Sequence, residues 1–164
     1  MITKVLVANR GEIACRIIDS VQAAGYDAVA VHSDADAKAL FVGLADETVS
    51  LGGNTSAESY LDINKIIAAA KASGADAIHP GYGFLSENAE FSALCQENGI
   101  IFIGPSATAI EVMGNKAEAK HLMLSSGVPC IPGYQGETQD AVTLASEANT
   151  IGFPIMVKAA AGGG

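Results

Sequence analysis

Basic residues are scarce. Nine Lys and Arg stand against 18 Asp and Glu, a net charge of −9. Such a chain lacks the electrostatic footprint for a nucleic-acid backbone or an anionic membrane surface, so neither is expected as a partner. ATP stays open, because its phosphates need only a few well-placed cations. Cysteine is thin as well: Cys15, Cys95 and Cys130 lie far apart, with no CxxC pair. That argues against a disulfide framework or a zinc site and leaves three reduced thiols packing as small hydrophobes. No basic n-region, apolar h-region or Arg-rich leader opens the chain, and no apolar run approaches the roughly 20 residues that span a bilayer. The expected compartment is the cytoplasm. Two nucleotide signatures are also missing. No G-x-x-x-x-G-K-[ST] occurs, which removes the P-loop. At the first strand-to-helix turn, Asn9-Arg10-Gly11-Glu12 has only Gly11 where a dinucleotide fold wants G-x-G-x-x-G, so NAD and FAD are disfavoured.

What is present is a globular pattern. Hydrophobic residues make up 49% and charged residues 16%, enough apolar material for a core and too much for disorder. Strand and helix signals alternate. Apolar runs at 4–8, 27–32, 47–51, 76–78 and 100–103 read as strands. Between them, 12–24 reads as a helix with Ile13, Ile17 and Val21 on one face. The stretch 34–44 is ambiguous, with room for a short helix. Thr55-Ser56-Ala57-Glu58 has capping-box spacing and predicts a helix to about Ser73, with Leu61, Ile66, Ile67 and Ala70 inward. Ser86 predicts a cap for a helix over 87–97. Strands alternating with helices of this length imply βαβ units, hence a doubly wound parallel sheet of Rossmann-like type covered on both faces. In such sheets ligands sit beyond the carboxyl ends of the strands. Short helices are predicted at 106–113 and 115–126, a Pro/Gly-rich loop at 127–133, a helix over 140–149 and an apolar strand over 153–158. The expected division is a first domain over 1–113 and the beginning of a second, incomplete one over 114–164.

Several residues are candidates for chemistry. His79-Pro80-Gly81-Tyr82-Gly83-Phe84 follows the fourth strand at the functional end of the sheet. Its glycines would let backbone approach a ligand, and Tyr82 offers a flat apolar face and a hydroxyl; a rigid structural turn fits equally well. Glu87 reads first as a carboxylate complementing a helix dipole. Arg10 and Glu12 read first as a surface turn with an acid in the first helical turn. Lys116 opens a helix, where a cation opposes the macrodipole unless an anion binds there. Lys158 ends an apolar run and precedes Ala159-Ala160-Ala161-Gly162-Gly163-Gly164. A strand lysine running into consecutive glycines is how backbone N–H groups are brought against a polyphosphate. A chain ending on that feature is expected to be the front of a longer enzyme.

Together these segments resemble the biotin carboxylase component of biotin-dependent carboxylases acting on acyl-CoA or pyruvate. The matching stretches are VLVANRGEIACRII (5–18), ADETVSLG (45–52), SYLDINKII (59–67), AIHPGYGFLSENAEF (77–91), FIGPSATAIEVMGNKAEAK (102–120), GVPCIPG (127–133) and GFPIMVKAAAGGG (152–164). They run collinearly over the whole chain. HPGYGFLSEN with FIGP and MGNK is specific; GVP and the glycine run are shared more widely among ATP-grasp enzymes.

The resemblance implies a pre-ATP-grasp domain followed by the start of an ATP-grasp domain whose glycine loop closes over ATP. It implies that Lys116, Lys158, Gly162, Gly163 and Gly164 face ATP. His79, Tyr82, Gly83 and Glu87 would lie on the biotin and bicarbonate side. The family's reaction uses Mg-ATP to activate bicarbonate as carboxyphosphate, then carboxylates N1 of biotin on a carrier protein. The implied partners are the biotin carboxyl carrier, a carboxyltransferase and, in the full-length enzyme, further copies of the same chain. The acidic Mg2+ ligands and the catalytic base and arginine are not in this chain, so alone it is expected to be inactive. Two other assignments share parts of the pattern. Another ATP-grasp ligase, making a purine precursor or carbamoyl phosphate, would share the architecture and terminal loop but not HPGYGFLSEN. A non-catalytic folding or docking module would need only the first domain.

Overall fold

The computed structural model describes residues 1–114, 116–134, 136 and 138–157. The chain divides into two compact units, 1–110 and 111–164. The first is built from β1 (Lys4–Val7), α1 (Gly11–Ala23), β2 (Asp27–His32), α2 (Leu40–Leu44), β3 (Glu47–Ser50), α3 (Ile63–Ser73), β4 (Ala77–His79), α4 (Ala89–Glu97) and β5 (Ile101–Phe102). All five strands are parallel, in the order β3-β2-β1-β4-β5. The chain winds outward from β1 to β3, returns across the sheet, and winds the other way through β4 and β5. β1 and β4 therefore flank the point where strand order reverses, and crevices for ligands form beyond the carboxyl ends of such a pair.

Strand periodicity decides which side chains meet which helices. Val5, Val7, Ala28, Ala30 and Ala77 form one core with Ile13, Ala14, Ile17, Ile18 and Val21 of α1 and Phe41 of α2. Leu6, Val29, Val31 and Ile78, one residue out of step, form the other core with Ile66, Ile67 and Ala70 of α3 and Phe91 and Cys95 of α4. Phe102 meets Phe91 edge to face at 5.8 Å.

Two expected helix starts are corrected. The capping box does form: Thr55 Oγ1 accepts from Glu58 N at 3.3 Å, and Glu58 Oε2 accepts from Thr55 N at 3.0 Å. It closes a turn, however, and the helix begins only at Ile63, where Asp62 Oδ1 accepts from Lys65 N at 3.1 Å. Leu61, expected inward, is 44% exposed. Likewise Asn88, not Ser86, caps α4, accepting from Phe91 N at 2.8 Å. Ser86 belongs to the preceding turn, its N–H donating to Gly83 O.

α5 (Ala107–Gly114) begins after Ser106, whose Oγ accepts from Ala109 N at 3.2 Å. In the second unit, α6 spans Lys116–Ser125 and α7 spans Ala141–Ile151. Asp140 caps α7 by accepting from Val142 N and Thr143 N at 2.9 and 3.0 Å. The expected apolar strand over 153–158 is not formed across its described part, 153–157. Met156 and Val157 are 78% and 87% exposed. Apolar sequence specifies a strand only where a neighbour supplies ladder hydrogen bonds, and among the described residues of the second unit there is no strand to supply them.

Candidate functional site

The turns that follow β1 and β4 interlock. The ladder is extended by Ala8 N donating to His79 O at 2.9 Å. The next residue, Asn9, is buried, and its Nδ2 donates to both Pro80 O and Tyr82 O at 2.8 Å. Its Oδ1 accepts from Arg10 N at 2.9 Å. One amide side chain thus holds the loop after β4 by two backbone carbonyls, with both its N–H donors and its oxygen engaged.

Gly81 is what lets Asn9 come so close. It has φ +67°, and a Cβ built on it would lie 2.7 Å from Asn9 Nδ2. Gly83 also has positive φ, +63°, but the space around it is open. The two glycines therefore differ: Gly81 makes room for protein, whereas Gly83 leaves backbone accessible from solvent. Gly81→Ala is expected to destabilise the first unit by about 1–2 kcal/mol, the usual cost of a left-handed alanine, with a loosened loop as well. Urea denaturation checks this.

Inside the loop, His79 Nδ1 accepts from Gly81 N at 3.0 Å. That bond places the proton of the neutral ring on Nε2. Burial, with Arg16 nearby, pushes the His79 pKa down, which favours the same neutral ring. Tyr82 is 58% exposed, and its hydroxyl donates to Glu12 Oε1. The bond holds the Glu12 carboxyl below its ordinary range, helped by Ile13 N, and raises the Tyr82 hydroxyl. An open groove of about 380 Å³ is lined by Arg16, His79 and Tyr82 beside Ile13, Ile17 and Ile103.

A second network anchors the far end of the loop. Arg10 donates to Asp36 through Nε at 2.6 Å and Nη2 at 2.7 Å, a bidentate pair. Asp36 also accepts from the Tyr60 hydroxyl at 2.7 Å, and Tyr60 in turn accepts from Ser33 N at 3.1 Å. The buried Tyr60 ring stacks on Phe84 at 5.3 Å. Phe84 has φ +41°, a strained conformation for a bulky residue. The stacking helps hold it there. Arg10, read from the sequence as a surface residue, is thus the outer member of a network reaching into the core.

The structure brings His79, Tyr82 and Gly83 into one loop at the reversal point. Glu87 is exposed and precedes the Asn88 cap. It is therefore not in the first turn of α4, and the dipole reading of this residue is corrected. Lys116 is the first residue of α6. Lys158, Gly162, Gly163 and Gly164 lie outside the described residues. Sequence reasoning assigned no role to Asn9, Asp36, Tyr60 or Phe84. The odd Asn9-Arg10-Gly11 turn, singled out but unexplained, was the available signal for the first; no local pattern announces Asp36 with Tyr60.

Residues 1–110 match the family described as biotin carboxylase, N-terminal domain, and residues 115–164 match carbamoyl-phosphate synthase L chain, ATP binding domain. The chain is 55% identical over 99% of its length to methylcrotonoyl-CoA carboxylase subunit alpha, mitochondrial, of Dictyostelium discoideum, covering 23% of that protein. It is 51% identical over its whole length to biotin carboxylase 1 of Bacillus subtilis (strain 168), covering 36%. The biotin carboxylase–beta-gamma-ATP complex of Campylobacter jejuni superposes with a TM-score of 0.92 at 48% identity, over 100% of this chain and 37% of that one. The chain thus spans about a quarter to a third of the curated relatives it matches.

Proposed function

This chain belongs to the biotin carboxylase N-terminal domain family, and on that premise we propose that it is the amino-terminal part of an ATP-dependent biotin carboxylase. The domain limits in this reading are 1–113 and 114–164. They are supported by the break between compact units after residue 110 and by family matches over 1–110 and 115–164. The observation that carries the functional reading is the exposed Tyr82 with the open Gly83 backbone beside it, held beyond the carboxyl ends of β1 and β4. A flat ring next to accessible backbone N–H suits a small planar ureido group such as that of biotin.

In this proposal, His79, Tyr82, Gly83 and Glu87 lie on the biotin and bicarbonate side, and Lys116, Lys158 and Gly162–Gly164 serve ATP. Mg2+, held by acidic residues that this chain does not supply, would neutralise charge on the transferring phosphoryl group. The partners are a biotinylated carrier, a carboxyltransferase and other copies of the enzyme. Placement in the cytoplasm is part of the proposal. Among the described residues no helix is long and apolar enough to cross a membrane, while the Dictyostelium relative is named mitochondrial; cell fractionation decides the compartment. Residues 115–164 match an ATP-binding domain described from another ligase, so the ATP half of the reading is shared. The HPGYGFLSEN half is what separates biotin carboxylases from such ligases.

Tyr82→Ala in the complete carboxylase tests the biotin side. The expected result is a biotin KM raised about 5–10-fold, the loss of one aromatic contact, with ATP KM unchanged. Equal effects on both substrates would remove Tyr82 from that side.

A further inference from the structure

The first strand-to-helix turn, which in a dinucleotide fold cradles pyrophosphate, is occupied here by a protein loop. We propose that Asn9 and Glu12 are positioning residues that set Tyr82 and Gly83 for the biotin-side substrate. This inference rests on the reading of Tyr82 given above. Two separate contacts carry it. Asn9, 3% exposed, holds Pro80 O and Tyr82 O, which fixes the backbone on either side of Gly81. Glu12, on the first turn of α1, accepts the Tyr82 hydroxyl, which fixes the ring from its far end. In this proposal each acts through Tyr82. An exposed tyrosine otherwise samples several rotamers, and each one frozen before binding removes an ordering cost from the association. Gly81 is the third part, because any side chain there would displace Asn9.

The contacts also explain why Asn9-Arg10-Gly11-Glu12 carries a single glycine. Glycines at this turn serve close approach of a phosphate. Here the approach is made by the 79–84 loop, and the turn needs an amide and a carboxylate instead.

The test uses the complete carboxylase with free biotin, in a double-mutant cycle of Glu12→Ala and Tyr82→Phe. Glu12 is exposed, so its removal leaves folding intact. Each single variant is expected to raise biotin KM about 3–10-fold with ATP KM unchanged, and the double variant to be no worse than either. An effect of Glu12→Ala that persists in full in the Tyr82→Phe background would overturn the positioning role. Deuterium uptake supplies a readout independent of biotin. Asn9→Ala is expected to speed exchange several-fold across 81–84 while α3 stays protected; unchanged uptake there overturns the Asn9 clamp. If Tyr82→Ala leaves biotin KM normal while uptake responds as expected, the biotin reading falls and the clamp stands.

Discussion

Asp36→Ala is expected to lower the unfolding free energy of this chain by about 2–3 kcal/mol, within the range for removing one partner of a buried, hydrogen-bonded charge network and below its upper end. Asp36 has a side chain only 12% exposed and carries both oxygens of the bidentate pair with Arg10. It also accepts the hydroxyl of the buried Tyr60. Removing it strands that hydroxyl, whereas the Arg10 side chain, 48% exposed, can return to water; hence the discount. The same residue shapes the acid limb of stability. Arg10, with Tyr60, holds the Asp36 carboxyl down at about 2, against an unfolded value of about 3.9. Because the folded value is the lower one, the contribution is complete above pH 4 and is lost as pH falls from 4 towards 2. Asp36→Asn should flatten that part of the profile. Urea midpoints at pH 7 and across pH 2–5 check both statements; a loss under 0.5 kcal/mol in Asp36→Ala would show that the network carries little.

The second large effect concerns ATP. Lys116→Gln and Lys158→Gln in the complete carboxylase are each expected to raise ATP KM about 10–100-fold, the equivalent of one charge-assisted contact to phosphate. Biotin KM should stay within about twofold if, as proposed, both lysines serve ATP alone. Lys116 is the first residue of α6, where the helix end repels a cation and attracts an anion. The proposed phosphate would offset that unfavourable position. Steady-state kinetics with each substrate varied in turn checks the expectation. Unchanged ATP kinetics in both variants would remove these lysines from the site.

The parallel sheet was legible because its signal is local. The DAVAVH run forms β2 over the residues its pattern marks, Asp27–His32, and the apolar spacing of Ile13, Ile17 and Val21 places the buried face of α1. Helix starts were less legible because capping chemistry is also turn chemistry. Thr55 and Glu58 make their reciprocal bonds without starting a helix, while Asp62 and Asn88, with equally ordinary side chains, do the capping. The 153–157 run shows the limit of periodicity, since pairing depends on residues elsewhere.

At the site, the 79–84 loop stood out by composition, and its glycines suggested room for a ligand. Only the structure shows that Gly81 spends that room on Asn9. The links among Asp36, Tyr60 and Phe84 were invisible for a physical reason: they join residues 24 or more positions apart, and no local pattern encodes such a distance.

Residues 1–164 are proposed to furnish ATP-side and biotin-side contacts of a biotin carboxylase without completing its catalytic centre. The most direct measurement is Mg-ATP-dependent fixation of labelled bicarbonate onto free biotin, made with the complete enzyme and with this chain alone. Labelled carboxybiotin is expected from the complete enzyme, dependent on both ATP and biotin, and none from the 164-residue chain. ATP consumption by the complete enzyme that fixes no label on biotin, or carboxybiotin formation by the chain alone, would contradict it.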